Sequence, residues 1–476
     1  MYTVPTRFYF LLIFFFYAYN ASAQDSTLTY TGSVSAAGAT DNTPFWMRAN
    51  QYGAVPSSGN FILGDFSIYK IYNPNDPRIF NWSAGAEVIT SYGTASNVFI
   101  SDLFATARIG KFEILAGQRK NVTGLMDTLL TSGSLSVSQN ARPFPRLQIA
   151  IPEFIPLYFT NNYVSIKASY SDGLLHSSAI NYGSVPEVRE TYFHQKTIYF
   201  RFGQAENKIL GYAGINHQAV WGGEKEISPI NNMKQSEAYW HTITGKAYNY
   251  NRIGNHFGTI DLGIQWKRKD WTYFLYRQNI FETGSLFKVI NVTDGLNGLS
   301  IKRNKRIKER YFTINSILLE LVGTKSQENN NPFSGFALFE KGNYYNSHIY
   351  VNGWSYFGKS IGTPLIGNKN DIRGDLENNV SEFTNNNRIV ALHGGVTASW
   401  LNIDLLLKST YSRNFGTYIS PFSKRKDQLS VLLNAEKKIN KFSGSTIFTS
   451  IGLDIGDLYS NSAGLMIGIK KSGFLN

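Results

Sequence analysis

Thr259-Ile260-Asp261-Leu262-Gly263-Ile264-Gln265-Trp266 is the stretch that decides the fold. Ile260, Leu262, Ile264 and Trp266 alternate with Thr259, Asp261, Gly263 and Gln265, and a period of two puts the two sets on opposite faces of a β-strand. One face suits lipid and the other suits water. Working outward, the same division returns with Val164, Ile166, Ala168 and Tyr170 against Tyr163, Ser165, Lys167 and Ser169. It returns again with Val390, Leu392, Val396, Ala398 and Trp400 against His393, Thr397 and Ser399. Ile403, Leu405, Leu407 and Tyr411 oppose Asp404, Lys408 and Thr410, and Ile447, Ile451, Leu453 and Ile455 oppose Ser450 and Asp454. Segments of about ten residues match the length a tilted strand needs to cross a bilayer. Trp266, Trp400 and Tyr411 are placed near strand ends for interfacial girdles.

Alternation alone does not separate a membrane barrel from a soluble β-sandwich. Export, together with the chain's length and its many ten-residue alternating strands, weighs for the barrel. Arg7 precedes an apolar run from Phe8 to Tyr19, and Ala21-Ser22-Ala23 offers the small-x-small site of signal peptidase, so residues 1–23 read as a secretory signal cleaved after Ala23. The run is too short to span a bilayer as a helix, and no Cys follows to carry a lipid anchor. Lipid admits only helices or closed barrels, and no second long apolar run exists. The expected fold is therefore all-β, one transmembrane antiparallel β-barrel over residues 24–476 in the outer membrane. At roughly 25 residues per strand and connection it holds about 16–18 strands.

Composition agrees. Aromatics at 15%, 42 Gly and only 17% charged residues suit a β protein with a wet and a greasy face. Zero Cys excludes a disulfide scaffold and thiolate chemistry. A net charge of +13 favours anionic partners such as acidic polysaccharide or lipid phosphate, while export argues against nucleic acid.

Ser326–Pro332 and Asn378–Arg388 have the Asn-rich composition of external or lumen-folded loops. Ile301–Arg310 carries six basic residues against one acid, which reads as a solvated or lipopolysaccharide-facing surface, or as a dock for acidic sugar. Asn140–Phe159, with Pro143, Pro145, Pro152 and Pro156, is expected to be an inserted or periplasmic segment, because proline removes ladder donors.

Catalytic signatures are missing. Gly353–Ser360 satisfies GxxxxGK[ST], but Trp354, Tyr356 and Phe357 are strand-like and Ile361-Gly362-Thr363-Pro364 is a poor helix start, whereas that motif needs a helix N-terminus aimed at phosphate. No GxSxG or HExxH occurs. His194 and His217 admit a metal pair or a hydrolytic base, yet neither has a carboxylate or Cys companion at ligand spacing, so the hydrogen-bonded structural reading leads and neither metal nor cofactor is expected.

Several segments resemble the Wzi-type capsule-assembly family of outer-membrane proteins: Thr43–Gly53, Gly110–Arg119, Ser138–Arg146, Tyr192–Gly203 and, most specifically, His217-Gln218-Ala219-Val220-Trp221-Gly222-Gly223. The second half matches only in Arg413–Tyr418 and in barrel character, and the Gly473-Phe474-Leu475-Asn476 end departs from the usual terminal aromatic. The resemblance implies a monomeric barrel with a loop-obstructed lumen, a non-catalytic lectin that helps hold capsular polysaccharide at the cell surface. The binding residues it suggests are Trp46, Arg48, Asn50, Arg142, Arg146, Arg201, Asn216, His217 and Trp221. Aromatic planes stack on sugar faces and Arg pairs with uronate carboxylates. Arg201 shares a face with Thr197 and Tyr199, which equally suits a brace in the lumen wall. The alternatives are a porin and, behind it, an outer-membrane hydrolase.

Overall fold

The computed structural model describes residues 27–475 except 74–77, 95, 249–250, 283–291, 306–310, 328–341 and 440–443. The expected signal segment therefore lies outside the described residues.

Eighteen strands form one sheet. In chain order they are β1 (Leu28–Ala39), β2 (Phe61–Lys70), β3 (Phe80–Gly93), β4 (Asn97–Ile109), β5 (Phe112–Gln118) and β6 (Arg146–Pro156). Then come β7 (Val164–Leu174), β8 (Tyr192–Phe202), β9 (Ile209–Trp221), β10 (Asn255–Lys267), β11 (Trp271–Glu282) and β12 (Gly295–Arg303). The last six are β13 (Phe312–Gly323), β14 (Ile389–Trp400), β15 (Ile403–Gly416), β16 (Pro421–Lys438), β17 (Ser445–Gly456) and β18 (Ser462–Phe474). Each pairs antiparallel with the next, and β1 against β18, with Val34 opposite Ile469, closes the barrel. Closure leaves no open edge, the condition lipid imposes on a sheet.

Exposure follows the alternation read from the sequence. Leu262, Ile264 and Trp266 face outward and are exposed, whereas Thr259 and Asp261 between them are fully buried inside. Leu392, Leu407, Ile451 and Leu453 continue the apolar exterior, and His393, Thr410, Ser450 and Asp454 turn inward. Trp82, Phe112, Trp266, Phe312 and Trp400 stand exposed near the rim that carries the short turns, such as 110–111, 268–270 and 401–402. The long connections 40–60, 119–145, 222–254 and 324–388 all leave the opposite rim. Outer-membrane barrels set short turns toward the periplasm and long loops outside, which orients the chain.

Two sequence expectations change. Arg146–Pro156 is a barrel strand, not an insertion: the register slips between Ile151 and Ile155, so a bulge takes Pro152 out of the ladder. Residues 140–145, just before it, fold into the lumen. The described part of the basic run, 301–305, lies at the short-turn rim and not at the outer surface, and Lys302 reaches Asp127 at 3.1 Å. Its remainder, 306–310, lies outside the described residues.

The lumen is filled by chain. Residues 119–145 and 342–388 form a plug whose centre is Leu130, Leu135, Tyr344, Tyr345, Tyr350, Trp354, Ile361 and Ile366, all buried in one cluster with inward wall residues. Asn378–Arg388 folds into this plug, with Thr384, Asn385, Asn386 and Asn387 buried. The wall grips it through polar groups. Glu320 on β13 accepts from Thr131 Oγ1 at 2.7 Å, Ser132 N at 2.7 Å, Ser132 Oγ at 2.6 Å and Tyr276 OH at 2.5 Å. Gln278 on β11 accepts from Leu135 N at 2.9 Å and donates to Leu125 O at 3.1 Å, and Asp261 accepts from Leu125 N at 3.0 Å. Glu320, Gln278 and Asp261 thus each answer a backbone group of the plug, as burial of those groups demands.

Candidate functional site

The short helix α1 (Phe45–Arg48) enters the lumen from the 40–60 connection. Trp46 is 1% exposed and donates from Nε1 to Thr410 Oγ1 at 3.0 Å. Arg48 pairs with Asp371 at 2.8 Å, and Lys359 pairs with the same carboxylate at 3.0 Å. Burial by itself raises the Asp371 pKa, but these two cations outweigh it and hold the carboxyl below its ordinary range. The void around this triad measures about 20 Å³, room for about one water and not for a sugar. Asn50 sits at φ 55° and donates to Thr131 O at 3.4 Å.

The segments 43–53 and 138–146, far apart in sequence, meet: Tyr52 N donates to Gln139 O at 2.6 Å, and Asn50 N reaches Asn140 Oδ1 at 3.4 Å. Arg146 is buried beside them and donates to Arg119 O at 3.2 Å. The structure does not bring the other candidates here. Arg201 lines the lumen and donates to Ser165 Oγ at 3.0 Å, while Asn216, fully buried in the same wall, accepts from Gln195 at 2.8 Å. His217 and Trp221 alternate with Asn216 and Gln218 and so lie on the outer face of β9, beneath the 222–254 connection.

Arg142 differs from the other eight. It is half-buried at the loop-rich end, with its guanidinium 3.5 Å from the ring centre of Phe99 and 4.8 Å from that of Phe357. Among the described residues it makes no hydrogen bond or ion pair, so its donors remain available beside two aromatic faces. Phe357 is the tip of a small hairpin, Ser355–Tyr356 paired with Lys359–Ser360. Both central residues have positive φ, 47° at Phe357 and 71° at Gly358, the signature of a tight primed turn. A bulky residue in that region costs about 1–3 kcal/mol. Phe357 nevertheless stands 55% exposed. His176 braces it, accepting from Phe357 N at 3.1 Å and stacking on Tyr356 with ring centres 5.3 Å apart. Arg142 feels burial and its pKa falls, though an Arg remains charged at any relevant pH.

Sequence reasoning missed Phe99, Phe357 and His176. Residues 353–360 drew attention only as a phosphate-loop match, and the structure answers that match: the Gly-rich segment is a hairpin with no helix after it, and Lys359 is committed to Asp371. The Phe-Gly pair was the available turn signal.

No protein-family model matches the sequence, and neither does any curated protein. Solved structures do match in shape. The Escherichia coli outer-membrane protein Wzi, described as involved in group 1 capsule assembly and as a carbohydrate-binding β-barrel, superposes with a TM-score of 0.56 at 13% identity, over 92% of this chain and 83% of that one. This chain folds as an outer-membrane β-barrel. Acinetobacter baumannii OccAB4 matches with a TM-score of 0.46 at 9% identity over 96% of this chain and 100% of that one. Pseudomonas aeruginosa OprD matches with a TM-score of 0.46 at 8% identity over 95% and 96%. The candidate site of this outer-membrane barrel is the one just described, an aromatic tip beside a guanidinium that has no hydrogen-bond or ion-pair partner among the described residues.

Proposed function

We propose that this outer-membrane barrel is a non-catalytic lectin that helps hold or assemble capsular polysaccharide at the cell surface, acting as a monomer. The observation that carries the reading is the strained, exposed Phe357 beside the unpaired Arg142 at the loop-rich end. Strain persists where the surroundings over-determine it, and an aromatic held in it at an open surface points to a binding role. A ring presents a stacking face to the apolar side of a sugar, and a guanidinium between two aromatic walls keeps donors for a uronate carboxylate. The buried plug agrees with a surface role, and the E. coli Wzi barrel of the same fold is described as carbohydrate-binding. Of the nine positions suggested by the sequence, Arg142 is assigned the sugar contact. Trp46, Arg48, Asn50, Arg146, Arg201 and Asn216 hold the plug, the mouth and the wall in place, and His217 and Trp221 hold the outer covering.

The test uses Phe357→Ala and Arg142→Ala in cells that make a capsule. Both variants are expected to reach the outer membrane with normal heat-resistant mobility on gels and to leave less polysaccharide on washed cells, with the double variant approaching a deletion strain. Full capsule retention by the double variant would remove the site. A deletion strain that keeps its capsule would remove the lectin reading, and steady large channels in a planar bilayer would put a porin in its place.

A further inference from the structure

The outer face of β7 to β10 turns polar part-way up the wall. Asp172 on β7, His194 on β8 and His256 on β10 share one row across that face, and Lys196 and His217 share the row below it. Height decides what these positions meet. Trp266 pairs with Ile209 at the lower aromatic girdle, and His217 stands eight residues above Ile209 on β9. With a rise of about 3.3 Å per residue and a tilt of about 40°, that is about 20 Å above the girdle, inside an apolar band about 25 Å tall. The row of His194 lies two residues higher, at the upper edge of the band. Charged groups on a lipid face are destabilising through this depth, so the row needs a cover.

The 222–254 connection supplies it with α3 (Gln235–Thr244), which follows a single turn of helix, α2 (Glu224–Ile227). Ala238 and Thr242 of α3 are buried at 1% and 0% exposure, and the Tyr239 ring packs on Trp221 with centres 5.4 Å apart, so this face lies on the wall. Tyr239 OH donates to Asp172 Oδ2 at 2.5 Å, and Lys196 Nζ donates to the carbonyl of Ile243. Those two bonds fix the height of the helix. Tyr239 stands at the upper row and Ile243 at the lower one, so α3 descends from the edge of the apolar band into it. Two residues make about half a helical turn, so Trp240 points directly away from the side of Ala238 and is 60% exposed.

We infer that the far face of α3 docks against lipid of the outer leaflet, with the Trp240 ring at the boundary between headgroups and acyl chains, and that this part of the connection is a membrane-seated cover rather than a loop in water. The face that points away from the wall carries Ser236, Trp240, Ile243 and Thr244, none of them charged. Its one hydroxyl at the deep end is satisfied within the helix, since Thr244 Oγ1 donates to Trp240 O at 2.8 Å, the arrangement that lets a threonine face an apolar medium. Glu237 sits a turn nearer the outer end, at headgroup height. Lys246, exposed after the last turn, has a stem long enough to carry its ammonium back to the headgroups. An indole is apolar in body and polar at one edge, which suits it to that boundary. The surface is continuous with the lipid-facing wall, where Ile198 and Ile215 stand exposed one row below His217. None of this rests on the polysaccharide reading.

The chain has no Cys, so Trp240→Cys offers a single attachment point for a nitroxide. The labelled full barrel is reconstituted in phosphatidylcholine vesicles beside two references. Leu392→Cys faces lipid at the same height, eight residues above Trp400 of the girdle, and Phe357→Cys faces water at the outer mouth. Collisions are read with oxygen, which concentrates in lipid, and with a nickel chelate, which stays in water. The label at 240 should match that at 392, with oxygen collisions frequent and nickel collisions rare. A label at 240 that matches 357 puts α3 in water and overturns the inference. Rare collisions with both reagents mean that a second copy of the chain covers the face, and overturn it as well. Should Trp240→Cys fail to assemble, the native side chain decides: the fluorescence that wild type has beyond Trp240→Phe should be quenched by lipid brominated on its acyl chains, and quenching by aqueous iodide in its place overturns the docking.

Discussion

Three long connections bury strand residues in this barrel, two from inside and one from outside, and the two sides do so by different chemistry. The plug of 119–145 and 342–388 is held by wall carboxylates and amides that answer its backbone: Glu320, Gln278 and Asp261 each receive plug groups at hydrogen-bond distance. The outer covering of 222–254 is held mainly by rings, with Trp221, Met233 and Ala238 at its centre and Tyr192, Tyr239 and Tyr248 around them. The lumen wall carries the polar face of each alternating strand, so its covering is specified by hydrogen bonds. An outer wall is apolar because it must face lipid, so its covering is specified by packing. The side of the wall thus selects which force fixes the loop.

The largest expected effect breaks the inner grip. Glu320→Ala leaves buried donors on Thr131, Ser132 and Tyr276 without an acceptor, at about 1–3 kcal/mol for each group. The plug should loosen, read as new protease cleavage within 119–145 and as channel openings in a planar bilayer that the wild type lacks. An inner loop held by packing instead would leave both unchanged. The outer covering responds to Trp221→Ala, since deleting a buried Trp costs about 3–5 kcal/mol. Proteolysis within 222–254 should rise while bilayer conductance stays at the wild-type level, and a simultaneous opening of the channel would show that the two coverings are coupled.

Wall polarity itself is tested by a pair of charges. Leu262→Arg faces lipid and should cost about 2–4 kcal/mol, whereas Gln265→Arg faces the lumen and should be tolerated, both read by the folded fraction in urea titrations. The smallest effect sharpens the inner side. The Asp371 carboxyl is held below its ordinary range, so its contribution is complete above the unfolded value of about 3.9 and is lost as pH falls through the lower folded value. The protection of 355–372 against hydrogen exchange, taken relative to the intrinsic rate at each pH, should hold from pH 7 to pH 5 and fall only below about pH 4, and in Asp371→Asn it should be lower and unchanged across that whole range.

Much of the barrel was legible from Thr259–Trp266 alone, because side-chain parity is a property of the strand and needs no partner to be read. That single regularity placed Asp261 inside and Leu262 outside, and it put Arg201 on one face with Thr197 and Tyr199. Composition likewise marked 378–388 as connection. Parity could not show what covers a residue. His217 and Trp221 lie on the outer face, yet Trp221 is buried, because a helix more than ten residues further along the chain folds back over it. Arg146–Pro156 defeated a proline count because a bulge, visible only once β7 lies beside it, removes Pro152 from the ladder. The meeting of Arg142 with Phe99 and Phe357 depends on separations of more than twenty residues, and only the closed sheet sets it. Local periodicity determines which way a side chain points, whereas its neighbours are determined by contacts between distant segments, which no local pattern encodes.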